Sequence, residues 1–201
     1  LGQAGGMQGL LVGTGAPAAG ERWFAGDGGI DTIAYAGARG GYRILLGADG
    51  QVRVEDKANG DIDTVSGIER GAFADGIVDL SFTQADPQVL QQVGLLYQSL
   101  LDRAGDIAGL SWWAGRDFGR DGIVGHFMAT PEFNTHYANV GDAQFVQALF
   151  RNTGLQDSDA GGVRYWEDYL ASHTRVELVA SWIGNASVAG AQFGAHGLWL
   201  A

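Results

Sequence analysis

The residues best suited to chemistry are the aspartates and glycines between Gly26 and Asp31. Asp27 and Asp31 offer carboxylate oxygens, which are the ligands that Ca²⁺ prefers. Gly26 and Gly29 let the backbone turn tightly enough to direct its carbonyl oxygens at one point. Ile33, two positions after Asp31, supplies the apolar residue of the calcium-binding repeat G-G-x-G-x-D-x-U-x. The stretch matches this repeat except that Asp27 replaces the second glycine. The pattern predicts a calcium site at these four residues.

A second acidic segment contains Asp61 and Asp63. Both are candidate ligands for the same kind of ion, because their oxygens suit a hard cation. Aspartates also stabilise turns by bonding to their own backbone, without any metal. Both interpretations stay open for all of these aspartates, and Ca²⁺ is the only cofactor that the sequence suggests.

Common catalytic motifs are absent from the sequence. The histidines lack metal-binding spacing and no H-E-x-x-H motif occurs. Ser111 lies in Gly-Leu-Ser-Trp-Trp rather than in the G-x-S-x-G motif of α/β-hydrolases. No glycosidase-type pair stands out among the many carboxylates. We therefore expect a non-catalytic protein, and a hydrolase with an unrecognised carboxylate site is an alternative.

Composition limits the partners. The 201 residues carry a formal net charge of −11 and include no cysteine. An acidic surface repels phosphate backbones, so no nucleic acid is expected as a partner and a cation is favoured. An extracellular protein of this size without disulfides needs another form of stabilisation, and bound metal is one. No run of 18 apolar residues occurs, so no membrane span is expected.

The first part of the chain, residues 1–83, is glycine-rich and predicts short strands. Tyr42, Ile44 and Leu46 share one face of a strand, as do Val52 and Val54, which indicates a β-hairpin. Two further short strands joined by an Asp-Gly turn are expected before residue 83.

The nine-residue period of the calcium motif extends upstream only in part. Nine positions before Ile33 stands Phe24, which is also apolar. Nine positions before Asp31 stands Arg22, which cannot bind a cation. The nine-residue period is therefore kept at the apolar position that packs in the core, and it is lost at the position of the metal ligand.

The second part, residues 84–201, has helical periodicity, with Val89, Val93 and Leu96 on one face. It contains an internal repeat of two units, at about 89–137 and 142–187, followed by a C-terminal tail. Residues 53 positions apart correspond, as Trp113 and Trp166 do. The tryptophans are expected in the core where helices cross.

Helix starts are marked in each unit. Asp106 and Asp159 precede the motif Gly-Leu/Val-x-x-Trp and are predicted to cap a helix N-terminus. Thr130 and Pro131 mark another helix start. The expected fold class is α+β, with a small glycine-rich β module of degenerate β-roll turns and hairpins before an all-helical module.

Three series carry a family resemblance: GGIDTIAY at 28–35, DIDTVSGIER at 61–70 and FADGIVDL at 73–80. They resemble the C-terminal part of RTX-type secreted bacterial proteins, the haemolysin-type and serralysin-like calcium binders. The duplicated helical unit resembles a helical domain of unknown function that often follows such segments. Arg22 and Gly71 depart from the family pattern.

The resemblance implies a calcium-binding export and surface-association module of a secreted bacterial protein, exported by type I secretion and folding on extracellular calcium. The C-terminal tail of the chain, about residues 188–201, is interpreted either as an export signal or as a frayed or docked terminus. The main alternative is an adhesin or surface-layer module that binds a surface glycan or another protein. Trp112, next to the core candidate Trp113, is the aromatic residue that this alternative would use, and a contact between the two modules is the other interpretation of its position.

Overall fold

The structure, a computed structural model, describes residues 10–12, 22–116, 118–155, 160–193 and 197–200. Two small β-sheets precede eight helices in this part of the chain, which confirms the expected α+β class.

The first sheet contains four strands in the order β1-β3-β7-β8. Its strands are β1 (Leu10–Val12), β3 (Thr32–Ala34), β7 (Arg70–Phe73) and β8 (Gly76–Asp79). β3 runs parallel to β1 and to β7, whereas β8 returns antiparallel to β7 after the predicted Asp-Gly turn. Parallel neighbours need a connection through another layer, and the second sheet supplies it.

The second sheet has the order β2-β6-β5-β4-β9. Its strands are β2 (Arg22–Ala25), β6 (Ile62–Ser66), β5 (Val52–Asp56), β4 (Tyr42–Leu46) and β9 (Leu198–Leu200). β4 and β5 form the predicted hairpin, with the alternating apolar residues buried. β2 is parallel to β6.

The chain therefore alternates between the sheets in two stacked units, β2–β3 and β6–β7. Arg22–Ala25 lies beside Asp63–Ser66, and Thr32–Ala34 lies beside Arg70–Ala72. Phe24 and Ile33, nine residues apart, belong to different sheets. The hairpin is inserted between the two units, which explains why no continuous nine-residue repeat is visible in the sequence.

Eight helices follow. They are α1 (Pro87–Leu101), α2 (Ile107–Ala114), α3 (Gly119–Met128), α4 (Pro131–Tyr137), α5 (Asp142–Asn152), α6 (Ala160–Tyr169), α7 (Arg175–Ile183) and α8 (Ala186–Phe193). The Asp106 carboxylate accepts a hydrogen bond from the Gly109 N–H, and the Thr130 hydroxyl accepts one from the Phe133 N–H, which confirms two predicted caps. The predicted cap Asp159 lies outside the described residues. None of the helices described has the length and hydrophobicity needed to cross a membrane.

The repeat is visible in the aromatic core. In the first unit the rings of Tyr97 and Phe127 meet edge to face at 5.0 Å, and Trp113 packs on Phe127 at 5.3 Å. In the second unit the equivalent ring of Trp182 lies 4.9 Å from Phe150 and 5.6 Å from Trp166. Equivalent helices also pack on each other, α1 on α5 and α3 on α7. The two units therefore share one core.

The sheets and the helices are joined at two places. The hairpin turn reaches the start of α1, where a Cβ on Gly50 would overlap the carbonyl group of Pro87. Farther along α1, a Cβ on Gly94 would lie 2.7 Å from a methyl group of Leu46. The tail also returns to the sheets, because β9 pairs antiparallel with β4 and buries Leu200.

The close approach at Gly50 can be tested against a matched glycine. Gly50 and Gly60 both have positive φ, 73° and 79°, but no atom lies within 4 Å of a Cβ on Gly60. We expect Gly60→Ala to lower the free energy of unfolding by about 1–2 kcal/mol, the cost of the left-handed conformation. Gly50→Ala should lower the free energy of unfolding by roughly 1–3 kcal/mol more than Gly60→Ala, because its Cβ would overlap Pro87. Urea denaturation measures both, and equal losses would show that the hairpin is not held against α1.

Candidate functional site

Two short loops occupy equivalent places in the stacked units. The first loop, residues 26–31, connects β2 to β3, and the second loop, residues 67–69, connects β6 to β7. The Gly26 N–H donates to the Ser66 carbonyl at 2.9 Å, and the Arg70 N–H donates to the Asp31 carbonyl at 3.1 Å. The parallel pairing of the strands thus places the two loops side by side.

Asp31 lies inside the first loop and is only 2% exposed. Its Oδ2 accepts a hydrogen bond from the Asp27 N–H at 2.9 Å, which closes the loop on itself. Its own N–H donates to Oε2 of Glu69, in the second loop, at 2.5 Å. The other Glu69 oxygen accepts from the side-chain amide of Gln84. The structure therefore adds the Glu69 carboxylate to the predicted site, beside Asp27 and Asp31.

The two predicted glycines are required by the geometry of the first loop. A Cβ on Gly26 would overlap the Gly67 carbonyl and lie 2.6 Å from Oδ2 of Asp31. Gly29 has φ 122°, a conformation that side chains other than hydrogen strongly disfavour. These two positions let the Gly67 carbonyl and the Asp31 carboxylate approach each other.

Asp27 is exposed and faces a cleft of about 510 Å³ between the sheets and the start of α1, which we call the junction cleft. Ser66, Thr83 and Asp86 also line this cleft. Asp27 is therefore the most exposed of the four aspartates that were predicted as ligands.

Asp63 is in a different environment. It is 2% exposed and forms a two-point ion pair with Arg22, with distances of 2.6 Å to Nε and 3.0 Å to Nη2. The hydrogen bond to Asp63 raises the pKa of the Arg22 guanidinium. Burial and then the Asp63 carboxylate raise the pKa of the Tyr35 hydroxyl well above its usual range. Arg22 thus provides the positive charge at the position where the sequence suggested a metal.

Asp61 is also separate from the loops. Its Oδ2 accepts a hydrogen bond from Nδ2 of Asn59 at 2.9 Å, and its N–H donates to the Asn59 side chain, an arrangement that stabilises the turn before β6. Asp63 stands at the start of β6 and the second loop follows its end, roughly 10 Å away along a strand. The structure therefore brings Asp27 and Asp31 together and does not bring Asp61 and Asp63 to them.

The first and second loops fit a hard cation in the type of their donors, which are carboxylate and carbonyl oxygens. Within the described ranges, no group of three or more His, Cys, Asp or Glu side chains is arranged to hold a metal ion. A cation here would need Asp31 with Asp27 or Glu69, completed by backbone carbonyls such as that of Gly67. The Asp63 position does not fit, because Arg22 occupies its carboxylate.

Comparison with known families places one part of the chain. Residues 125–184, from within α3 to the end of α7, match a family described as a domain of unknown function (DUF4214). No curated protein and no solved structure matches the chain. The matched segment crosses from the first helical unit into the second and contains none of the loop residues.

The Arg22–Asp63 pair leads to a stability prediction. Arg22→Met leaves the Asp63 carboxylate buried and without its partner, so we expect a loss of about 3–5 kcal/mol in the free energy of unfolding. The matched control is Arg43→Met, because the Arg43–Glu55 pair is more exposed, at 48% and 22% of the two side chains. The Arg43→Met substitution should lower the free energy of unfolding by about 1 kcal/mol or less.

The double variant Arg22→Met with Asp63→Leu should recover most of the loss, since it removes the stranded charge. Urea denaturation compares the four proteins. Equal losses for Arg22→Met and Arg43→Met would contradict a specific role for the buried pair.

Proposed function

We propose that this chain is a non-catalytic module of a secreted bacterial protein, and that calcium bound at the first and second loops stabilises its β-sheets. The observation that carries the proposal is Asp31, which is 2% exposed in a glycine loop and whose backbone N–H donates to the Glu69 carboxylate of the second loop. Two carboxylates on adjacent loops repel each other, and a divalent cation with oxygen ligands offsets that repulsion.

An ion at this position would act on both stacked units at once. The first loop belongs to β2 and β3, and the second belongs to β6 and β7. An ion that bridges the loops therefore stabilises the pairing of both parallel strand pairs. Metal binding would appear as folding free energy, because the loops are arranged together only in the folded chain.

The second loop also contacts the start of the helices. The Thr83 hydroxyl accepts a hydrogen bond from the Ile68 N–H at 2.9 Å and donates one to the Ile68 carbonyl at 2.8 Å. Thr83 comes just before Asp86, whose side chain caps α1 by accepting from the Gln88 N–H. Order in the loops would therefore extend through Thr83 to the first helix.

The proposal of secretion is supported by the resemblance of residues 28–35, 61–70 and 73–80 to RTX-type proteins. Calcium is scarce inside cells and reaches millimolar concentration outside, which suits the affinity range of extracellular calcium modules. In this proposal the β-sheets are less stable before export and gain stability after it. The helical units then have a formed surface to pack on.

A second candidate function is binding of a neutral surface glycan, and the internal repeat favours it. Trp112 and Tyr165 occupy equivalent positions, 53 residues apart, and are 45% and 60% exposed. Each meets the buried tryptophan next to it edge to face, at 4.6 Å for Trp112 and 5.2 Å for Tyr165. Their orientations are therefore fixed, which lowers the entropic cost of stacking on a sugar.

Calcium binding is tested on the whole chain by calorimetry and thermal unfolding. A dissociation constant of roughly 0.1–1 mM is expected. At 10 mM Ca²⁺ this gives about 1.4–2.7 kcal/mol of stabilisation, which is a rise in Tm of about 3–10 °C. Asp31→Asn should abolish this rise, whereas Asp61→Asn should retain it. No binding heat at 10 mM Ca²⁺ together with an unchanged melt in chelator would exclude the proposal.

Glycan binding is tested on an array with and without calcium. Trp112→Ala and Tyr165→Ala should each weaken binding by about threefold to tenfold, as expected for loss of one stacking contact of 0.5–1.5 kcal/mol. Trp23→Ala is the matched control, because Trp23 is 65% exposed but lies on β2. An equal effect of all three variants, or no glycan bound by the unaltered chain, would remove this candidate.

A further inference from the structure

A cleft of about 440 Å³ lies between the C-terminal end of α1 and the helices α4 and α5, and we call it the repeat cleft. Its polar lining consists of Asp102, His136, Tyr137, Gln144, Arg151 and Asn152. The volume falls in the range of small-molecule sites, about 300–1,000 Å³. All of these residues except Asp102 belong to the segment that matches the domain of unknown function.

The repeat cleft lies where the two helical units meet. Asn152 of α5 donates a hydrogen bond from Nδ2 to the Ser99 carbonyl of α1 at 3.0 Å, and these residues occupy equivalent positions of the two units. Gln98 of α1 in turn donates to the Asn152 carbonyl at 3.3 Å. The floor of the cleft is thus held by bonds between the units rather than by a flexible loop.

Several donors in the repeat cleft have spare capacity. In the described part of the chain, the Arg151 guanidinium has no carboxylate within ion-pair distance, although the protein has 23 acidic residues. Tyr137 is 7% exposed, and its hydroxyl accepts from Nδ2 of Asn152 at 3.4 Å while its own proton has no acceptor among the described residues. Gln144 uses its Oε1 for the Gly141 N–H, which leaves its amide nitrogen available.

Acceptors are present as well. Asn152 is 8% exposed and uses only its Nδ2, so its Oδ1 accepts no hydrogen bond from any described residue. Asp102 ends α1 with φ 50°, and no other non-glycine residue in the described ranges has a positive φ. The Asp102 carboxylate receives only a long contact from Gln98, at 3.4 Å.

The charges of the repeat cleft are close to one another. Burial raises the pKa of the Tyr137 hydroxyl, and the fields of Arg151 and Asp102 act on the same group in opposite directions. One cation, one anion and several neutral hydrogen-bonding groups therefore surround a single space. A phosphate dianion fits less well than a carboxylate, because the cleft offers one arginine and no lysine, which matches a single negative charge.

We propose that the repeat cleft binds a hydroxy acid of about monosaccharide size. Its carboxylate would be held by Arg151 with the Tyr137 hydroxyl and the Gln144 amide, and its hydroxyl groups would donate to Asp102 and Asn152. The site does not depend on calcium or on the exposed aromatic residues, so its test is independent of the tests of the two functions proposed above.

The test uses three hydroxy acids and their neutral counterparts on the whole chain in the presence of chelator. The pairs are glucuronate with glucose, gluconate with sorbitol, and tartrate with erythritol, with glucose 6-phosphate as a further anion. Calorimetry and amide chemical-shift changes measure binding. We expect at least one acid to bind with a dissociation constant below 10 mM and at least tenfold more tightly than its neutral partner, which is about 1.4 kcal/mol.

Variants locate the site. Arg151→Gln and Tyr137→Phe should each weaken binding of that acid at least fivefold, and Arg164→Gln, an exposed arginine on α6, should leave it unchanged. Circular dichroism and the melting temperature check that each variant is folded, and Tyr137→Phe keeps the ring if Arg151→Gln does not fold. The proposal would be overturned if none of the three acids bound, or if an acid and its neutral partner bound equally. It would also be overturned if the phosphate bound more tightly than the acids, or if Arg164→Gln weakened binding as much as Arg151→Gln.

Discussion

The structure depends on how closely the backbone of one stacked unit approaches the other. Gly26 lies so near the Gly67 carbonyl that no side chain fits between them. This contact fixes the register in which β2 runs beside β6 and β3 beside β7. That register decides which side chains meet across the units. It places Arg22 beside Asp63 at one end of β6 and Asp31 beside Glu69 at the other.

The two ends of β6 illustrate two ways of balancing a buried carboxylate. At Asp63 the chain supplies its own cation, because Arg22 forms an ion pair with the buried carboxylate. At Asp31 the carboxylate accepts from the Asp27 N–H, and the Asp31 N–H donates to a second acid, Glu69. An arginine is always protonated, so the charge of Arg22 is permanent. The same fold therefore combines a fixed ion pair with an acidic loop.

Local patterns allowed much of the fold to be predicted. The hairpin follows from the alternation of Tyr42, Ile44 and Leu46, and the cap at Asp106 follows from its place before Gly-Leu-x-x-Trp. Contacts between distant segments were not accessible in this way. Arg22 and Asp63 are 41 residues apart, and the hairpin inserted between the units hides the period that would have aligned them. Glu69 was part of the family resemblance, but its role depends on the stacking of the two loops.

The repeat cleft was inaccessible to sequence reasoning for a similar reason. Asp102 follows α1, while Tyr137 and Arg151 belong to α4 and α5, and only the packing of the two units places them around one space. A positive φ at an aspartate has no clear sequence signal, because aspartate commonly ends helices in several conformations. The repeat itself was readable, because bulky aromatic residues recur at a constant offset.

The return of β9 to the sheet has a consequence for how the chain acquires its structure during synthesis. β4 obtains its second neighbour from residues more than 150 positions later, since Ile44 pairs with Leu200. Until those residues leave the ribosome, one side of β4 presents unpaired N–H and carbonyl groups to other nascent chains. Protection against aggregation in that interval must come from outside the sheet, and synthesis of residues 198–200 is the event that removes the open edge.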